Sequence, residues 1–156
     1  AYVSSSDNSQ ELKVINISNP NSPSLAGSLN LPGYTDADSL AIAGTTIFLS
    51  QVSLIYTIDI SSPTTPAQLG SIDVGGKVND IALNLGNNST YLYIVARNNS
   101  TEFQVIDVTS LSSPTLLGSL DIVGTNLLNG VAYDATLDRA FVVDDKTDQE
   151  FIVIAP

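Results

Sequence analysis

The chain has 156 residues, 43% of them hydrophobic, with 16 acidic against 5 basic residues and a net charge of −11. That length holds one domain with a real core; no apolar run approaches the roughly 18 residues of a membrane span, and so acidic a surface disfavours nucleic acid and anionic membranes as partners. Cysteine, histidine, methionine and tryptophan are absent, which removes disulfides, thiol nucleophiles, Ser-His-Asp catalysis and the usual zinc, haem and iron–sulfur ligands.

Ala1-Tyr2-Val3 already reads as a strand, so the leader of a secreted form would have been removed or would lie upstream. From Glu11 to Leu29 runs "ELKVINISNPNSPSLAGSL", two apolar segments broken by Pro20 and Pro23. A short segment follows at Leu40–Ala43, then one around Phe48, then "LIYTIDISSPTTPAQLGSI" from Leu54 to Ile72. The next unit offers Ile81–Leu83, a segment around Tyr93, and "EFQVIDVTSLSSPTLLGSL" from Glu102 to Leu120. The last offers Val131–Tyr133, a segment around Phe141, and "EFIVI" from Glu150. Val, Ile, Thr and aromatics dominate these segments, turn-formers separate them, and no helical period is sustained, so all are predicted strands.

The copies share a register. Ile15, Ile58, Ile106 and Ile154 lie 43, 48 and 48 residues apart; Gly27-Ser28 recurs as Gly70-Ser71 and Gly118-Ser119, and Pro23 as Pro66 and Pro114. Four short antiparallel strands per unit of roughly 40–50 residues predict the blades of a β-propeller, an all-β fold. Strand a carries a fixed alanine (Ala41, Ala82, Ala132), small enough for the crowded axis, and strand b an aromatic (Tyr2, Phe48, Tyr93, Phe141). Middle strands such as "YLYIVA" are apolar on both faces, as flanking blades require. A two-sheet sandwich is the alternative, but would leave the common register of Gly, Pro and Ala unexplained. The blades partition as b-c-d over 1–30, whole blades over 39–73 and 79–122, and a-b-c over 129–156, in one propeller region. The unit at 40–71 departs by shortening the hairpin after Ser50.

"LKVINISNPNSPSLAGSL" and "YTIDISSPTTPAQLGSI" resemble the LVIVD-repeat propellers, and "YLYIVARNNSTEFQVIDV" and "NGVAYDATLDRAFVVDD" are similar to the YVTN-type surface propellers of archaea and bacteria. The resemblance implies a β-propeller and an extracellular or cell-surface setting, without a shared reaction. About three and a half blades fall short of the four or more of a closed propeller. The expectation is therefore an interior piece of a longer propeller; identical chains closing a ring, or open strand edges pairing into a filament, are the alternatives.

Three groups of residues are candidates for function. "NNST" occurs twice, on the a–b and b–c hairpins of one blade, so Asn87, Asn88, Asn98 and Asn99 are glycosylation candidates, as is Asn16 in "NIS". Asn16 takes the place of Asp59 and Asp107, where a short polar side chain is expected to cap the turn after strand c. The hairpin "DDKTDQE", Asp144–Glu150, gathers oxygens that calcium could use, yet reads better as an acidic, solvated turn; Glu11 and Glu102 share the register of its Glu150. Finally, Asp36 and Asp38 precede Leu40, Asp80 precedes Ile81 and Asn129 precedes Val131, at the central mouth where propellers commonly bind ligands or metals. "DADSLAI" is similar to an acidic phrase of calcium-dependent propeller phytases, but the cations that phosphate binding needs are missing; turn capping accounts for the same residues.

The sequence thus points away from catalysis, toward an extracellular or cell-surface structural or interaction module with no required cofactor, calcium being possible. Protein or glycan partners are expected, including copies of the chain through open strand edges; a calcium-dependent lactonase- or phytase-like hydrolase and a self-assembling filament subunit are the alternatives. On the preferred reading Asp38→Ala and Asp80→Ala are broadly tolerated.

Overall fold

Short runs of β-branched and aromatic residues, each closed by Pro, Gly, Asn or Ser, leave the chain no length in which to wind a helix. The computed structural model describes residues 1–33, 35–86, 89–98, 100–122, 128–145 and 150–155, and among these there are fourteen strands and no helix. The first sheet holds β1 (Tyr2–Ser4), β2 (Leu12–Asn16) and β3 (Ser24–Leu29). The second holds β4 (Ala37–Ala43), β5 (Thr46–Gln51), β6 (Leu54–Asp59) and β7 (Ala67–Asp73). In the third are β8 (Lys77–Leu85), β9 (Thr90–Arg97), β10 (Phe103–Asp107) and β11 (Thr115–Leu120), and in the fourth β12 (Leu128–Asp134), β13 (Arg139–Asp144) and β14 (Phe151–Ile154).

Every sheet is an antiparallel meander in chain order. The all-β, blade-built architecture expected from the repeat is the one observed: four separate sheets rather than the two of a sandwich, with no closed ring among the described residues. Strands β4, β8 and β12 lie side by side, so the first strand of each unit is the inner one.

The core sits in the three seams between successive sheets, and strand alternation explains why. In β5, Ile47 and Leu49 point toward the first sheet and join Leu12, Leu31 and Tyr56. Phe48, between them in sequence, points the other way and joins Val78, Leu92, Ile94 and Ile106 of the third sheet. Side chains of a strand project alternately to opposite faces, so a strand with neighbours on both sides must be apolar throughout. β5 is buried at every position. The third seam gathers Val95, Phe103, Leu128, Val131 and Val142.

Strands c and d pair through a recurrent bulge, at Val14/Ile15, Thr57/Ile58 and Val105/Ile106. Beside it the turn after strand c is capped as expected: Oδ1 of Asn16, Asp59 and Asp107 accepts the backbone N–H of Ser18, Ser61 and Thr109 at 2.9, 2.8 and 2.8 Å. Hydrogen bonds from Ser61, and from the Thr109 hydroxyl and backbone, hold the carboxyls of Asp59 and Asp107 below their usual value of 3.8. A carboxyl depressed in the folded state contributes stability above its unfolded pKa and loses it as pH falls through the folded one. Thermal melts should therefore weaken as pH drops below about 4, and Asp59→Asn, which keeps an acceptor without a titrating group, should flatten that decline.

The shortened hairpin, Val52-Ser53 between β5 and β6, turns on a strained residue: Val52 has φ of +54°. A β-branched side chain is disfavoured there. The turn persists because the third sheet and the chain leading to it hold it in place, Val78 N–H donating to the Val52 carbonyl at 2.8 Å and Val74 N–H to that of Ser53 at 2.9 Å. Relieving the strain with Val52→Gly should stabilise the chain by up to about 1 kcal/mol, even after glycine's larger unfolded-state entropy, as measured by urea unfolding.

Candidate functional site

The four mouth residues sit at the start of the inner strands, where a bulge recurs. Pairing of a with b shifts register at Ala37/Leu40, Val78/Asp80 and Leu128/Gly130. The bulge lets each strand begin three or four residues earlier than the apolar pattern suggests, so Asp38, Asp80 and Asn129 lie within β4, β8 and β12 rather than in a preceding turn, and Asp36 alone lies just outside. Bulges re-aim side chains. Here they turn Asp80 toward both neighbouring inner strands.

Asp80 Oδ1 accepts from the Ser39 hydroxyl of β4 at 3.1 Å and from Ile81 N–H at 2.9 Å, while Oδ2 accepts from Val131 N–H of β12 at 3.0 Å. Next to it, Asn79 donates its amide to the Leu128 carbonyl at 2.6 Å. These inner strands belong to different sheets and share no backbone ladder, so the side chains supply the cross-ties. Asp38 is exposed and pairs with Lys77 Nζ at 3.1 Å, and its carbonyl accepts the Ser4 hydroxyl at 2.9 Å. Asp36 and Asn129 are exposed. Thus the structure joins Asp38 to Lys77 and places Asp80 on a separate network. Among the described residues no three His, Cys, Asp or Glu side chains converge to hold a metal ion. Asp80→Ala would leave Val131 N–H and the Ser39 hydroxyl without their acceptor in a half-buried place. A loss of about 1–2 kcal/mol is expected, against little change for the exposed pair in Asp38→Ala, read from paired denaturation curves.

Two of the three glutamates that share a register are buried. Glu11 is 0% exposed and Glu102 is 1% exposed. Glu11 Oε2 accepts Leu31 N–H at 2.8 Å and Glu102 Oε2 accepts Ile122 N–H at 3.1 Å. Each ties the chain leaving strand d to the start of strand c. The second sheet has Leu54 at this register, and there the Ser53 carbonyl takes Val74 N–H instead. The tightened hairpin brings a backbone acceptor to the place a carboxylate fills elsewhere. Burial and the nearby Glu11 charge push the Tyr56 phenol above its ordinary value. Glu150, in the same register, is exposed. The fixed register of the glutamates was the available signal; their burial was not visible in so polar a stretch. Gln104 has a similar tying role, donating to the carbonyls of Val74 and Thr101 at 2.9 and 3.0 Å.

Of the sequons, Asn16 is exposed and Asn98 half-buried, its Oδ1 facing Ser100 N–H at 3.4 Å; Asn87, Asn88 and Asn99 lie outside the described residues. In the acidic hairpin Asp144 is buried and its Oδ1 accepts Asp145 N–H at 2.7 Å, while residues 146–149 lie outside the described part.

The third seam carries an aromatic-walled cavity of about 240 Å³ lined by Tyr91, Tyr93, Phe103, Val105, Leu117 and Tyr133. The Tyr93 ring lies 5.9 Å from Phe103 and 4.9 Å from Tyr133. The Tyr133 hydroxyl donates to Asp138 Oδ1 at 2.7 Å, and that bond, with the carboxylate charge behind it, pushes the phenol up to about 12.

Four antiparallel meanders side by side, inner strands cross-tied and cores in the seams, define a propeller-type repeat protein. A protein from Lactobacillus plantarum has a similar fold, with a TM-score of 0.78 and 20% identity over 92% of this chain and 44% of that one. A protein of unknown function from Bacteroides thetaiotaomicron is similar at a TM-score of 0.64 and 15% identity, over 99% of this chain and 38% of that one. The chain spans less than half the length of either. The LVIVD repeat model matches residues 1–31 and 75–122, just over half of the chain, and the chain belongs to that family. The second sheet, with its shortened hairpin and Leu54, falls outside the matched residues. No curated protein matches the sequence.

Proposed function

We propose that this LVIVD-repeat chain is a structural and interaction module of an extracellular or cell-surface protein, with protein or glycan partners and without catalysis. The observation that carries the reading is the use made of its polar groups: Asp80, Glu11, Glu102 and Gln104 tie one strand or sheet to the next. Phe151 and Val153 of the fourth sheet are exposed, whereas Ile55 and Phe103, at the register of Phe151, are buried in their seams. Glycans on Asn16, Asn87, Asn88, Asn98 or Asn99 fit a secreted module.

Protease shaving of intact cells that express the native protein tests the location. Release of its peptides is expected; protection until lysis would overturn the surface assignment. An intact mass before and after deglycosylation tests the sequons in the same material. The alternative, a calcium-dependent hydrolase, would draw on the carboxylates of Asp36, Asp38 and Asp80. A saturable heat in a calcium titration of the native protein, lost in Asp36→Ala, would favour that reading.

A further inference from the structure

Inside the first seam lie two acceptor oxygens that no described residue satisfies. Glu11 is wholly buried; its Oε2 accepts Leu31 N–H, while Oε1 has no partner. Gln51, at the end of β5, is 2% exposed. Its Nε2 donates to the Thr35 carbonyl at 2.8 Å, which fixes the amide and leaves Oε1 as the unpartnered atom. Both side chains belong to one place. Gln51 alternates with Ile47 and Leu49, which face the first sheet, and Glu11 precedes Leu12 and holds Leu31 of the same cluster. Ala37, opposite Gln51, donates its N–H to the Ser5 carbonyl, and Ser5 N–H goes to the Glu11 carbonyl. The Glu11 charge also reaches Tyr56, the cross-strand partner of Leu49. The ion pairs among the described residues, Lys13 with Asp7 and Lys77 with Asp38, leave the Glu11 carboxylate without a cation. In the second seam the register of Gln51 holds Ala96, also buried, and the backbone carbonyl of Ser53 takes the place of the carboxylate. The third seam restores both groups: Glu102 accepts Ile122 N–H, and Asp144, at the register of Gln51, is buried with Oδ2 unpartnered. Carboxylate and second oxygen are kept together or lost together.

We propose that the first seam is a cation site, in which Glu11 Oε1 and Gln51 Oε1 hold a calcium ion between the first two sheets. An ionised carboxylate shut away from water is costly unless a positive charge or a full set of donors meets it, and among the described residues none does. Oxygen ligands without nitrogen or sulfur select a hard cation. Calcium fits better than magnesium, because it accepts neutral amide oxygens and irregular geometry where magnesium demands a near-ideal octahedron. Glu11 and Gln51 supply part of a shell of about six to eight oxygens, and water carried in with the ion supplies the rest. Held there, the ion joins strand c of one unit to strand b of the next. The site lies inside a seam, apart from the mouth carboxylates, and does not rest on where the module is located.

The test is mass spectrometry under non-denaturing conditions and thermal melts, on the native protein stripped with a chelator and then given calcium alone. Bound calcium and a raised melting temperature are expected. Glu11→Gln should hold one calcium fewer than the parent. Its amide keeps a carbonyl oxygen for Leu31 N–H and brings a donor to Gln51 Oε1, so in chelator it should melt no lower than the parent. Gln51→Glu adds a charged ligand, as Asp144 does in the third seam, and should tighten calcium binding by at least about tenfold. Asp36→Ala, at the mouth, should leave the seam's calcium in place. Equal calcium in Glu11→Gln and the parent, or none in the parent, overturns the site and leaves the two oxygens to water. A rise in melting temperature produced equally by sodium at matched ionic strength overturns the assignment to calcium.

Discussion

Gly70→Val is expected to melt well below the parent chain, while Gly118→Val, the same change at the same place in the repeat, is expected to melt with it. The first would drive a branched side chain into the backbone of the following sheet, with the Leu111 and Ser112 carbonyl oxygens 2.6 and 2.8 Å from the new Cβ. Backbone cannot rotate away as a side chain can, so the loop must lift. Lifting it breaks the Thr57–Leu111 hydrogen bond and withdraws Leu111 from the cluster around Phe48. Overpacking alone costs about 1–3 kcal/mol; with that hydrogen bond broken and Leu111 withdrawn, the upper end of the range is the expectation. For a chain of this size that is a fall of several degrees, at about 2–4 °C per kcal/mol. Strand propensity favours valine over glycine equally at both positions, so the pair isolates the inter-sheet contact. Equal melting of the two variants would mean that the loops do not seal the seams in solution.

The second large effect is expected at Glu102. Glu102→Ala removes the acceptor of Ile122 N–H and leaves a space where the carboxylate was buried. An unsatisfied buried donor costs about 1–3 kcal/mol. Glu102→Gln keeps a carbonyl oxygen for the same N–H and should retain most of the stability, so the pair separates the hydrogen bond from the volume. Urea unfolding reads both. The loss should also be local, because repeat proteins derive stability from each unit and its interfaces with neighbours. Hydrogen exchange at Ile122 and in β12 should quicken in Glu102→Ala, while the second sheet, whose tie is the Ser53 carbonyl, keeps its protection. Uniform acceleration through all four sheets would contradict a local tie.

Much of the architecture was legible before any coordinates, for a physical reason. Alternating apolar residues at two-residue period, cut by Pro and Gly in a register that recurs three times, admit few arrangements other than stacked four-stranded units. Asn16, Asp59 and Asp107 were legible as caps because an Asx turn is a contact between residues two apart. Asp38, Asp80 and Asn129 stand at the start of the inner strands, but the work of Asp80 was not legible. Its partners, Ser39 and Val131, lie in other units, 41 and 51 residues away, and nothing local in "NDIAL" announces them. The bulge that aims it is equally silent, since a bulge adds one residue to a pattern whose ends are already irregular.

The sequence by itself determined the class of strands, their order in each unit and the period of the repeat, all set by short-range sterics and by alternation of side chains across a pleated strand. Only the tertiary structure decided which polar groups are hidden. Glu11 and Leu54 sit at the same register, yet Glu11 is buried as the acceptor of Leu31 N–H while in the second sheet the Ser53 carbonyl takes Val74 N–H. Gly27 and Gly70 are each roofed by the loop of the following sheet, a contact that neither glycine's own segment announces. A residue's neighbours across a seam come from a different unit of the chain, and burial is set by what those neighbours bring.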